Sequence, residues 1–176
     1  MKTWIPVKEF SKTNRIVHHI SAVMFIGALL LMAYDQYVGS SDAMLLHQSF
    51  GVVVFVLYFG RIVLMGWFGK PEALGTQMEQ FLAHMAHLAL YGILLLMPLS
   101  GLMLNIARAR DTVVFGLFTI PGFSERNMDI YLMALDVHSF LEWICYLLLF
   151  AHVGASLFHH FVLKDDTLKR MWGKTD

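Results

Sequence analysis

The sequence predicts an all-α integral membrane protein, a four-transmembrane-helix bundle with both termini cytoplasmic. Three observations carry that expectation. Hydrophobic residues fill 57% of the 176 positions and charged residues only 15%, too apolar a balance for a soluble domain of this length. The charged side chains fall between apolar runs of about 20 residues, the length at which an α-helix crosses about 30 Å of hydrocarbon. The basic residues divide unevenly between the two faces that such runs define.

The first span is expected over residues 16–34. It lacks a small-residue cleavage site and is followed by three more spans, so it reads as a retained helix rather than a signal peptide. The second is expected over 45–68 and the third over 81–104. The fourth, over 132–163, is longer than a bilayer needs and implies tilt or extension past the membrane. No repeat or low-complexity linker separates them, so residues 1–176 read as a single domain whose partner is membrane lipid. The single cysteine, Cys145, excludes an intramolecular disulfide. Net charge is zero and no basic stripe suggests nucleic acid.

Orientation follows from the Lys and Arg residues, which are retained on the cytoplasmic side of short loops. Lys2, Lys8, Lys12, Arg15, Arg61, Lys70, Lys164, Lys169, Arg170 and Lys174 fall on one face. Only Arg108, Arg110 and Arg126 fall on the other, which in a bacterium is periplasmic.

Nine histidines carry the chemistry, most of them inside or at the ends of apolar spans, where an ionisable side chain is costly and marks function. His138 and His152 are 14 residues apart on the fourth span; at about 100° per residue they fall within roughly 40° of one face, and about 21 Å apart along the axis. One imidazole near each leaflet suits two stacked haems, whose irons take axial imidazoles from facing helices of a bundle. In the outer leaflet the other histidine is His47, so the outer pair is His47 and His138 by elimination. The inner pair joins His152 to one of His18, His19, His84 or His87. Of these His19 is preferred, because it lies further into its helix than His18 and the third span carries no outer-leaflet histidine.

Several stretches resemble the bacterial cytochrome b561 family of small di-haem type: Arg15–His19, His47–Gly51 followed by Arg61, His84–His87 leading to Pro98 and Gly101, Phe115–Leu117 to Pro121, and His152 through His159 and His160 to the tail Lys164–Met171. The resemblance covers nearly the whole chain. It implies two b haems with iron ligands at His19, His47, His138 and His152. It further implies a multi-pass protein of the bacterial inner membrane that passes electrons from a periplasmic one-electron donor, superoxide in the most similar branch, to ubiquinone.

Other positions follow from register. Cys145 lies between the two haem levels, where an inert packing thiol is expected. Gly51, one turn from His47, lets a porphyrin or a neighbouring helix approach. Arg61, 14 residues after His47, reaches inner-haem depth, to pair with a propionate or to anchor the helix end. His159, seven residues beyond His152 on nearly the same face, is the candidate acid–base residue for quinone protons, with His160 and Lys164 beside it. The outer loop from Arg108 to Asp129 is mixed in charge and forms no funnel for an anion. Two competing readings are a cytochrome b serving a periplasmic redox protein and a histidine-rich protein binding a divalent metal. The second expects carboxylates or cysteines at membrane depth, where mainly Glu142 is found.

Overall fold

A computed structural model describes residues 9–173. Four long helices dominate it: α1 (Lys12–Val38), α2 (Ser41–Phe68), α3 (Gln77–Ala107) and α4 (Met128–Phe158). A π-helical turn, His159–Leu163, extends α4, and a short helix α5 (Lys169–Trp172) closes the described chain. All four long helices are apolar enough to cross a membrane.

Each helix begins several residues before the expected apolar run, and the caps explain why. Side chains of Ser11, Ser40, Thr76 and Asn127 accept hydrogen bonds from the backbone N–H groups of Asn14, Ala43, Glu79 and Ile130. These groups satisfy donors that a helix start leaves unpaired. Thr76 and Glu79 form a full capping box. Gly39 and Gly69, with φ of 71° and 74°, end α1 and α2 in a conformation that costs a glycine little.

The helices pack in sequence order, α1 on α2, α2 on α3 and α3 on α4. Leu29, Ile93, Met97, Leu141 and Cys145 form a buried cluster at mid-bundle. Cys145 is 1% exposed among these apolar neighbours and acts as packing. On the opposite side of α4, Phe140, Trp143, Leu147 and Phe150 form an exposed stripe at helical spacing. An apolar stripe turned outward is what a lipid-facing helix presents.

The all-helical expectation omits one element. Strands β1 (Thr112–Val114) and β2 (Phe118–Ile120) form an antiparallel hairpin between α3 and α4. Residues 115–117 connect the strands; Phe115 and Gly116, both with positive φ, are the central residues of a β-turn that Leu117 N–H closes onto the Val114 carbonyl. That turn ordinarily takes Asn-Gly. Here Phe115 is held in the left-handed region by tertiary contacts: its N–H donates to Ser49 Oγ at 3.0 Å and its ring lies 5.8 Å from that of Phe50. The hairpin is further tied down by Asn105 Nδ2, which donates to Thr112 Oγ1.

Both ends of the described chain meet at one end of the bundle. His19 on α1 reaches the Met171 carbonyl, and Arg170 donates to the carbonyl of Glu72 in the α2–α3 connection. We call this the inner end; it carries Lys12, Arg15, Lys70, Lys164, Lys169 and Arg170, while Arg108, Arg110 and Arg126 lie toward the other. Lys2, Lys8 and Lys174, which also entered the orientation argument, lie outside the described residues.

Candidate functional site

At the outer end α4 meets α2 through a pair of histidines. The rings of His47 and His138 have centroids 6.4 Å apart. His47 Nδ1–H donates to the Ala28 carbonyl at 2.8 Å, so its Nε2 keeps a free lone pair. His138 Nδ1 lies 3.0 Å from Ser100 Oγ, and that hydroxyl donates its own proton to the Met97 carbonyl at 2.9 Å. With the hydroxyl donating to Met97, Ser100 accepts from His138 Nδ1–H, which again leaves Nε2 free. Metal-binding histidines characteristically tie down the second ring nitrogen in this way.

The inner end gathers more histidines. His152 faces His18 with centroids 6.3 Å apart and His87 at 5.9 Å. His18 is half-buried, and its Nδ1 is buried without a hydrogen-bond partner. His87 is exposed and donates from Nδ1 to the Ala83 carbonyl one turn back. Two imidazoles on opposite sides of one metal ion, at metal–nitrogen distances of about 2 Å, have ring centres about 6 Å apart. His47–His138 matches that spacing at the outer end; at the inner end His18–His152 and His87–His152 both match it, and of these two partners His18 is the more buried, with an unpartnered Nδ1.

The expected inner partner, His19, is directed elsewhere. Its Nε2 lies 3.2 Å from the Met171 carbonyl, to which it can only donate, and its ring packs 4.9 Å from Trp172. That nitrogen is occupied, and the structure brings His18 to His152 in its place. The physical reason is register: adjacent helical residues diverge by about 100°, so one of two neighbouring histidines faces α4 and the other the C-terminal tail. His84, the remaining inner candidate, is exposed.

Glycines mark where the outer pair is crowded. A Cβ at Gly101 would stand 2.9 Å from His138 Cε1, and one at Gly27 would stand 2.7 Å from Phe50. A Cβ at Gly51 would meet no atom within 4 Å, so helix packing does not account for that glycine. Gly101→Leu is expected to displace the His138 ring and abolish metal–imidazole coordination at the outer end while sparing the inner; a spectroscopic haem count on the purified protein checks this.

Arg61 sits with its guanidinium 5.5 Å from the centre of the Tyr91 ring, on an α2–α3 contact, and lies within electrostatic reach of His18, His87 and His152. It supplies fixed positive charge beside the inner histidines. Glu142, the carboxylate expected at membrane depth, accepts from Tyr146 Oη at 3.1 Å. Among the described residues no group of three or more His, Cys, Asp or Glu side chains is placed to hold a metal ion by itself.

Below the inner cluster, His159 Nδ1 lies 2.6 Å from Asp165 Oδ2. The π-helical turn makes this contact, because Lys164 takes a left-handed conformation (φ 54°) and returns Asp165 N–H to the His159 carbonyl at 3.2 Å. Asp165 also accepts from Thr167 N–H at 2.9 Å. Burial pushes the Asp165 carboxyl up, but the hydrogen bonds from His159 and Thr167 outweigh it and hold its pKa below the ordinary value. The carboxylate is therefore retained above that ordinary value, and its pairing is lost only as pH falls through the depressed pKa. Beside this pair, His160 keeps a buried Nδ1 without a hydrogen-bond partner.

Comparison with known proteins decides the class. Residues 9–174 match the family model of prokaryotic cytochrome b561. The chain belongs to the prokaryotic cytochrome b561 family. Relatives include cytochrome b561 homolog 1 of Escherichia coli (strain K12), 30% identical over 174 residues, covering 94% of this chain and 97% of that protein. Cytochrome b561 homolog 2 of the same organism is 32% identical over 178 residues, covering 96% and 93%. Probable superoxide oxidase CybB of Yersinia pestis is 30% identical over 132 residues, covering 74% of each. The cytochrome is thus a multi-pass bacterial membrane protein that transfers electrons across the membrane on b haem. Its own residues fit that group: facing imidazoles at the spacing of axial ligands, Nδ1 protons anchored on the outer pair, and an orphaned buried nitrogen on His18.

Proposed function

We propose that the protein carries single electrons through two b haems, from superoxide at the periplasmic face of the bacterial inner membrane to ubiquinone at the cytoplasmic face. The observation that carries this reading is the pair of facing histidines at each end of α4, His138 with His47 and His152 with His18, at nearly equal separations. His18 takes the place of His19 as inner ligand. Bound haem supplies one-electron chemistry that no side chain here offers.

The protein residues then act by position and charge. His47 and His138 fix the outer centre, with their Nδ1 protons held by Ala28 and Ser100. His18 and His152 fix the inner one. Arg61 would offset the charge of a haem propionate beside it, and Gly51 leaves its stretch of α2 open to a flat ligand. His159, hydrogen-bonded through Nδ1 to Asp165, keeps Nε2 to give or take the proton that quinone reduction requires, with Asp165 orienting the ring. The relative named as a probable superoxide oxidase supports superoxide as the donor.

Stopped-flow mixing with superoxide tests the function. Haem bands should reduce within the mixing experiment and re-oxidise only when ubiquinone is present. Reduction by a periplasmic redox protein but not by superoxide would replace the donor and keep the rest. Purified protein without haem bands would sink the reading altogether.

A further inference from the structure

We propose that Ser100 is a positioning residue of the outer centre: through its hydrogen bond to His138 it locks the ring's tautomer and rotation, and so sets the outer reduction potential. The inference rests on reading His47 and His138 as the outer ligand pair.

Helix α3 gives the outer pair no ligand, yet it meets His138 at two consecutive residues. Ser100, 7% exposed, contributes Oγ at 3.0 Å from Nδ1, and Gly101 has no Cβ that would stand against the ring edge. Donating to the Met97 carbonyl at 2.9 Å, the hydroxyl turns a lone pair toward the histidine. One orientation of the hydroxyl therefore specifies one protonation state of the ring, with Nδ1 as donor and Nε2 as lone pair. Such outer partners orient a ligand and raise its basicity. A more basic imidazole favours the oxidised iron and lowers the potential. The two outer histidines differ here: His47 leans on a backbone carbonyl alone, whereas His138 meets the Ser100 hydroxyl in addition to the nearby Met97 carbonyl. Sequence change can thus adjust the outer potential at position 100 without altering a ligand.

The test compares Ser100→Ala and Ser100→Thr in the full-length holoprotein by haem count, redox titration and low-temperature electron paramagnetic resonance. Ser100→Ala should keep both haems, since His47 and His138 are intact and the Met97 carbonyl remains near the ring. Its outer haem should shift toward the reduced form by up to tenfold in equilibrium constant, about 59 mV for a one-electron couple, while the inner haem stays put. The outer low-spin signal should move with it. Ser100→Thr keeps the hydroxyl and should restore both values. Unchanged potentials and spectra in Ser100→Ala would overturn the proposal, as would loss of the outer haem from both variants, which would make position 100 a matter of packing. If His138→Ala retained two bis-histidine haems, the ligand reading beneath the proposal would fail instead.

Discussion

Replacing His138 by Ala should remove the outer haem completely and leave the inner one, halving the haem content of the purified protein. The two proposed ligand pairs share α4 but no residue, so the loss is local. The same reasoning gives a sharper contrast on α1. His18→Ala should remove the inner haem, because His18 stands 6.3 Å from His152, whereas His19→Ala should retain it, because the His19 ring is engaged with Met171 and Trp172. Retention of both haems in His18→Ala, with loss in His87→Ala, would transfer the inner ligand to α3. Loss in His19→Ala alone would restore the ligand that family resemblance implies.

His159→Phe should keep both haems and their reduction by the outer donor, yet slow re-oxidation by ubiquinone tenfold or more, so that haem accumulates reduced. Phenylalanine keeps the bulk of the ring and removes proton exchange. General acid–base groups contribute about 10²–10⁴ in rate, and His160 or water softens the loss to its low end. The pairing at 2.6 Å sharpens the expectation: Asp165→Asn, which keeps a hydrogen-bond acceptor and removes the charge, should slow the same step by less. Wild-type re-oxidation in His159→Phe would reduce that pair to a structural clasp and move the quinone search to His84 and His87.

The helices were legible in the sequence because length and hydropathy alone specify a span in lipid. Their capped ends were less so, since Ser11, Ser40, Thr76 and Asn127 lie outside the apolar runs. The hairpin was hidden by its turn: Phe115-Gly116 lacks the usual residue at the first position, and tertiary contacts to Ser49 and Phe50 help hold it. On α1 the sequence did contain the signal that separates His18 from His19. His18 lies 11 residues before Leu29, three turns to within about 20°, and Leu29 belongs to the mid-bundle core. Asp165 could not be read from helical periodicity, because its approach to His159 depends on a π-turn and a left-handed Lys164. Ser100 looked like any small residue in a membrane helix until its hydroxyl was seen against His138.

Helix α4 carries one histidine of each facing pair, His138 and His152, on a single uninterrupted stretch. It therefore serves the molecule as a length standard. Residues added to the outer loop or to the 69–76 connection leave the gap between the two levels untouched, while one residue inserted between 139 and 151 swings His152 away by about 100° and lengthens the gap by about 1.5 Å. Electron tunnelling slows exponentially with distance, so with a haem at each facing pair, as proposed, transfer between the two levels would be governed by the pitch of one helix. The loops that meet donors and acceptors are left free to diversify without detuning it.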